Sequence, residues 1–130
     1  MRLLTLVAGL FISFSAYSTC LKIGDITTLT GTLVLKKYQS PEDEPKPVTR
    51  LVLELDKPLK CVVDVDDTFS AWNKDITILT PKNAIYKKAV LYTKQHVVIT
   101  GEAILADNAY DFTAILMFME KIEPYSKNKN

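Results

Sequence analysis

The sequence predicts a mainly β domain in which five strands and one short helix fold as a small, strongly bent barrel. Three observations predict it. His96 to Ile122, HVVITGEAILADNAYDFTAILMFMEKI, reads as two long strands joined by a short polar turn. A further long strand, Ile26 to Tyr38, alternates apolar and polar residues with the period of a half-buried strand. Each of these regions carries a Thr-Gly pair in a strand, Thr30-Gly31 and Thr100-Gly101, and glycine inside a strand is tolerated where the strand coils sharply or another backbone comes close.

The chain opens with MRLLTLVAGLFISFSAYS, residues 1–18, in which Arg2 precedes an apolar run from Leu3 to Phe14 and small residues follow at Ala16 and Ser18. This is the pattern of a secretory signal peptide. The run falls short of the ~20 residues that span a bilayer, and no second such run follows, so no transmembrane segment is expected after cleavage. Cleavage is placed after Ser18, with Ser15 as the alternative. The remaining chain of about 110 residues suffices for one core but not two. The expected organisation is a signal peptide over 1–18, a barrel domain over 19–123 and a disordered tail over 124–130. Export points to the periplasm. The signal contains one charge, Arg2, so the 16 basic residues fall to 15 against 15 acidic ones, and a neutral domain names no partner by charge alone.

Cys20 and Cys61 are the two cysteines. An even count in an exported chain argues for a disulfide, and closing a loop of about 40 residues would stabilise the fold by roughly 4 kcal/mol in the chain-entropy model. Lipid attachment at Cys20 is disfavoured, because Tyr17-Ser18-Thr19 lacks the leucine-then-small pattern before the cysteine.

In Ile26 to Tyr38, Leu29, Gly31, Leu33 and Leu35 share one face, while Thr28, Thr30, Thr32 and Lys36 share the other. Gln39 to Pro47 contains three prolines and mixed charge and reads as a loop. Val48 to Leu55 alternates again and turns at Asp56-Lys57-Pro58, which makes Leu59 to Val65 the expected antiparallel partner and third strand. Asp66 to Asp75 reads as a loop pinned by Phe69 and Trp72, and Ile76 to Leu79 as an extra short strand. Thr80-Pro81 resembles a helix start, with a helix expected to about Tyr92 whose Ile85, Ala89 and Tyr92 face the core. Five strands with a helix between the third and fourth is the order of an OB-like barrel, the oligonucleotide/oligosaccharide-binding fold, and a small sandwich is the alternative.

The residues also carry a resemblance. Cys20-Leu21, Leu29-Thr30-Gly31-Thr32-Leu33, the run Leu53-Glu54-Leu55-Asp56-Lys57-Pro58-Leu59-Lys60-Cys61-Val62, and Thr100-Gly101 together resemble an uncharacterised family of small exported bacterial proteins, a domain of unknown function. The likeness covers about Cys20 to Ile122. It implies an exported, disulfide-linked β-barrel with no established activity. Where that family often carries histidines around the final turn, this chain has Asp107, Asn108, Tyr110 and Asp111, and its first loop has Ser40-Pro41-Glu42-Asp43-Glu44-Pro45 in place of a Gly-Pro-Pro-rich pattern. A metal site built on such histidines therefore does not transfer.

The chemistry excluded is broader than the chemistry indicated. His96 is the one histidine and no Gly-x-Ser-x-Gly elbow exists, so His96 reads as an outward-facing surface residue at the start of a strand. Asp64 to Asp75 departs from a calcium loop, with Phe69 at the sixth position where glycine belongs, and zinc lacks its ligands. Acidic loop residues such as Glu42, Asp43 and Glu44 read as solubilising groups, not as the paired carboxylates of glycoside cleavage. Neutrality and export argue against nucleic acid. Ala114 to Met119 is apolar at successive positions, a pattern that fits either a strand covered on both faces or an edge for a partner or a second copy.

The expected function is thus a non-enzymatic exported binding module of the bacterial envelope, of unknown ligand and without metal or cofactor. Its partner is expected to be a protein or a small envelope ligand. The expected surface is the face of the second and third strands, with Tyr38, Arg50, Asp107, Asn108 and Tyr110 as rim residues. The alternatives are a periplasmic immunity or inhibitor protein acting on a toxin or envelope hydrolase, and a hydrolase with an unrecognised site.

Overall fold

The computed structural model describes residues 20–59, 61–64, 67–70 and 74–126. The signal peptide expected over 1–18, Trp72 and the chain from 127 onward lie outside the described residues. In chain order the elements are β1 (Leu21–Lys22), β2 (Ile26–Gln39), β3 (Pro47–Leu55), β4 (Cys61–Asp64), β5 (Asp67–Ser70), β6 (Asp75–Leu79), α1 (Asn83–Val90), β7 (His96–Leu105) and β8 (Ile115–Pro124). The protein is mainly β. Its principal sheet has five strands in the order β2-β3-β6-β8-β7 and closes on itself, because β2 pairs with β7 as well as with β3. All its pairings are antiparallel except β6 with β8.

Gly31 sits where three strands meet. It is opposite Leu55 of β3 and Val97 of β7. A Cβ added there would lie 2.9 Å from the Leu55 Cα and closer still to the Glu54 carbonyl. Gly101 repeats the arrangement on β7, where a Cβ would lie 2.9 Å from Met117 Cγ and press on the Phe118 carbonyl. The β7–β8 register shifts between Thr100 and Gly101, so that Thr100 faces Lys121 and Gly101 faces Met119. That bulge leaves Glu120 over and bends the hairpin.

The interior is filled by the alternate residues of these strands, among them Leu33, Leu53, Ile76, Ile99, Ile115 and Met117, all buried. Each such side chain contributes roughly 1.5–3 kcal/mol relative to exposure. Leu29 and Leu33 pack inward as their periodicity predicts. Leu35, on the same face, is 42% exposed. The β2–β7 pairing stops at Thr32, so Leu35 is flanked only by β3 and lies beyond the core.

One expected strand is displaced. The described part of Leu59 to Val65 does not pair with β3. Its observed part, β4, lies in a separate three-stranded sheet, parallel to β1 and antiparallel to β5. The disulfide between Cys20 and Cys61, with Cα atoms 4.9 Å apart, holds β4 beside the start of β1. The free edge of β3 is taken by β6, with Val52 opposite Thr77. The segment expected as an extra short strand is therefore the third strand of the principal sheet. Residues expected to form only a loop include β5. Leu21 and Val62 are buried and join this small sheet to the main core.

The helix is shorter than Thr80 to Tyr92. It starts after Lys82, which makes no side-chain cap, and its first backbone bond runs from Tyr86 N–H to the Lys82 carbonyl. Ala89 is fully buried, and Ile85, Tyr86 and Tyr92 pack on the core, so α1 lies against the sheet interior as its spacing predicts. Its exit is pinned by Lys94, in the left-handed region at φ 68°, whose N–H donates to the Leu33 carbonyl at 2.6 Å. At the other end of the chain, β8 carries through Pro124, past the domain limit expected at 123, and the Tyr125 N–H donates to the His96 carbonyl.

Candidate functional site

Residues 106–114, between β7 and β8, form an ordered strap. Its turn is built from its own polar groups. The Asp107 N–H donates to the Asp111 carboxylate at 2.9 Å, the Asn108 amide donates to the Asp107 carboxylate at 2.9 Å, and the Tyr110 N–H donates to the Asn108 side-chain oxygen at 2.8 Å. The last is an Asx turn. Asp107 and Asn108, expected as rim residues, therefore direct polar groups into the turn itself.

The strap then crosses the outer face of the sheet. Thr113 anchors one end. Its hydroxyl donates to the Ile115 carbonyl at 2.7 Å, so the 2.7 Å contact between the Thr113 and Thr77 hydroxyls has Thr77 as donor, and the Thr77 N–H also donates to Thr113 Oγ1 at 3.2 Å. Val52, Thr77 and Leu116 lie in register across β3, β6 and β8 and are all buried, although they stand outside the interior cluster. This answers the unbroken apolar run Ala114 to Met119 in part. Leu116 is covered as well as Ile115 and Met117, whereas Phe118 is 44% exposed.

Phe112 joins the strap to two of the expected rim residues. Its ring stacks on that of Tyr38, with centroids 4.7 Å apart and planes within 4° of parallel, and the Arg50 guanidinium carbon lies 5.4 Å from its centre. The stacked pair contributes about 0.5–1.5 kcal/mol beyond its area burial, and the cation–π contact about 0.5–1 kcal/mol at an exposed site. Tyr38 and Arg50 reach this position because both project outward from adjacent strands, Tyr38 opposite Val48 and Arg50 opposite Lys36. Burial pushes the Tyr38 hydroxyl above its ordinary range.

The first loop meets the strap at its tip. Ser40 closes that loop with two bonds to Lys46, its N–H to the Lys46 carbonyl at 2.8 Å and its hydroxyl accepting from the Lys46 N–H at 2.9 Å. The Tyr110 hydroxyl donates to Glu42 at 2.6 Å, which pushes that hydroxyl upward in pKa. Tyr38, Arg50 and Tyr110 thus come together on one surface through Phe112 and Glu42. Phe112 is the residue that the sequence reading left out. Its signal is an apolar aromatic at the end of an otherwise polar turn.

Beside the stack, Lys36 bridges Asp75 at 2.6 Å and Glu54 at 2.9 Å. Glu54 and Asp75 are directly opposite each other on β3 and β6, so the lysine separates two like charges. The two hydrogen bonds hold the Lys36 ammonium above the usual lysine range.

His96 lies elsewhere, outward-facing at the start of β7. Its Nε2 is 2.7 Å from Asp56 Oδ2, and its ring lies 4.2 Å from that of Tyr125. Two open crevices flank Asp56, one of about 290 Å³ beside Glu54 and Asp75 and one of about 370 Å³ beside Leu59 and Tyr125. Among the described residues, no group of three His, Cys, Asp or Glu side chains is placed to hold a metal ion. No described helix is long and apolar enough to cross a membrane.

No known family model matches this chain, and no curated protein matches it.

Proposed function

We propose that this chain is an exported, non-enzymatic binding module built as an OB-type barrel. It engages a protein or small envelope ligand in the periplasm through the outer face of β2 and β3, in place of the face expected on the second and third strands, because the described part of 59–65 leaves β3 for a separate sheet. Support for the barrel type comes from the strand order β2-β3-β6-β8-β7, the single parallel pairing of β6 with β8, and the helix between the third and fourth strands of that sheet. The likeness to small exported bacterial proteins belongs to the same reading, and the Cys20–Cys61 disulfide supports an oxidising compartment.

One observation carries the assignment of the face: the Tyr38–Phe112–Arg50 stack, which brings an aromatic pair, a guanidinium and the two loops of residues 40–46 and 106–114 to a single surface. Tyrosine and arginine are favoured as interface anchors. The mature protein and its Arg50→Ala and Tyr110→Ala variants, each immobilised and exposed to a periplasmic extract, test the assignment. Retention of a protein or small molecule by the wild type and its loss from both folded variants is the expected result. Equal retention by all three would remove the site from this face.

The exposed carboxylates Glu42, Asp43 and Glu44 favour a second reading, an immunity or inhibitor protein directed at a toxin or envelope hydrolase with a basic cleft. Capture of one enzyme, with loss of that enzyme's activity in the complex, would select it.

A further inference from the structure

The segment from Ile76 to Gly101 contains no aspartate or glutamate and four lysines, Lys82, Lys87, Lys88 and Lys94. All four are exposed, and none forms an ion pair with another described residue. They are not the surplus of a basic protein, since the whole chain carries a formal net charge of +1. The excess is local.

The helix organises it. At 100° per residue, Ala84, Lys87, Lys88 and Leu91 fall within one outward stripe, opposite Ala89, Ile85 and Tyr86, which pack on the core. Lys82 immediately precedes the helix and Lys94 follows it. Leu91, after Lys88, is 75% exposed, the highest value among the large hydrophobic residues described. It follows the last helical residue, where its carbonyl accepts from the Gln95 side-chain amide. The stripe is held in place by the buried side of α1 and by the bond from Lys94 N–H to the Leu33 carbonyl, so it is presented without any folding cost on binding.

A protruding leucine beside Lys87 and Lys88, which form no ion pair with another described residue, fits one chemistry well. The ammonium groups meet phosphates at the surface of a bilayer while the leucine enters the region between headgroups. A soluble polyanion would use the lysines and leave Leu91 in water. We infer that the outward face of α1, formed by Lys87, Lys88 and Leu91 with the exposed Lys82 and Lys94 before and after the helix, is a docking surface for an anionic phospholipid bilayer. The helix face lies flat on the surface and nothing spans the membrane. This inference is independent of the binding face on β2 and β3. Each lysine that reaches an anionic surface strengthens association by about fivefold, and the attraction fades as salt shortens its range.

Co-sedimentation of the mature protein with vesicles tests it, using phosphatidylcholine alone and phosphatidylcholine mixed equally with phosphatidylglycerol. The wild type is expected to sediment with the anionic vesicles, to stay in solution with the neutral ones, and to be released by salt. Lys87→Glu combined with Lys88→Glu should weaken anionic-vesicle binding by about 25-fold or more. Leu91→Ser should weaken vesicle binding severalfold while leaving retention on heparin unchanged. All three positions are exposed, so the variants should keep the wild-type circular dichroism, with a small fall in melting temperature for the charge-reversed pair because acidic groups in the last turn oppose the helix dipole. Failure of the wild type to bind anionic vesicles would overturn the inference. So would equal binding by the charge-reversed variant. Binding to heparin together with indifference of vesicle binding to Leu91→Ser would reassign the patch to soluble polyanions.

Discussion

The rings of Tyr38 and Phe112 lie parallel with their centroids 4.7 Å apart, and they fasten the strap between β7 and β8 onto the outer face of β2. Truncation of this contact should release the strap. Phe112→Ala is expected to cost about 1–2 kcal/mol, the stacking energy plus the apolar area lost from a partly buried ring. Faster hydrogen exchange confined to residues 106–114, with the interior of the sheet unaffected, would accompany the lower melting temperature. Unchanged exchange in the strap would show that its other bonds, through Thr113 and Tyr110, hold it without the stack.

Thr113 and Thr77 form the second fastening, and their energies should not add. Thr113→Val leaves the buried Thr77 hydroxyl and N–H without their acceptor, an expected cost of about 1–3 kcal/mol. Thr77→Val removes one donor and keeps the shape. The double variant should cost less than the two single changes together, because the hydroxyl stranded by the first substitution is removed by the second. Urea unfolding of the four proteins measures this, and strict additivity would contradict the shared bond.

Gly31→Ala and Gly101→Ala should each be severely destabilising, at about 3 kcal/mol or more, since the new methyl group meets neighbouring backbone that is itself locked in the sheet. Soluble expression and the urea midpoint report it. A mild effect at Gly31 would mean that β3 can move away from β2 at Glu54.

Lys36 provides a pH signature. Its pKa is raised in the folded protein by Asp75 and Glu54. A group whose folded pKa lies above its unfolded value contributes fully below the unfolded pKa and loses that contribution as pH rises through the folded one. The stability difference between the wild type and Lys36→Met should therefore hold from neutral pH up to the ordinary lysine value of 10.5 and shrink above it. Near neutrality the difference is expected to be about 1 kcal/mol, reduced by salt because the pair is partly solvated. A difference already falling at neutral pH would refute this origin.

Removal of the Cys20–Cys61 bond should lower stability by roughly 4 kcal/mol on the chain-entropy account of a loop this long. Urea unfolding with and without reductant, beside the Cys20→Ser/Cys61→Ser variant, checks it. Two free thiols by mass in the untreated protein would remove the bridge.

The long elements were legible because their signals are local. Alternation over Ile26 to Gln39 and over β7 reports which residues face a core, and the spacing of Ile85, Ala89 and Tyr92 reports one side of a helix. The candidate face was legible only in pieces. Tyr38 and Arg50 could be placed outward on their strands, whereas Phe112 could not be joined to them, because no periodicity relates a turn residue to a strand that precedes it by so much chain.

By itself, then, the sequence determined the mainly β character, the curved strand at Gly31, the final hairpin, the helix and its inward face, and the two cysteines available for a bridge. Periodicity, turn chemistry and backbone sterics act over a few residues, and those properties need nothing more. Tertiary structure alone decided that β6, not β4, takes the edge of β3, and that the strap returns across the outer face to bond Thr77, which is buried between Val52 and Leu116. Both outcomes are competitions between partners distant in the chain. A strand's alternation says which side it buries; which edge it joins depends on the disulfide, the register and the loop that arrive from elsewhere.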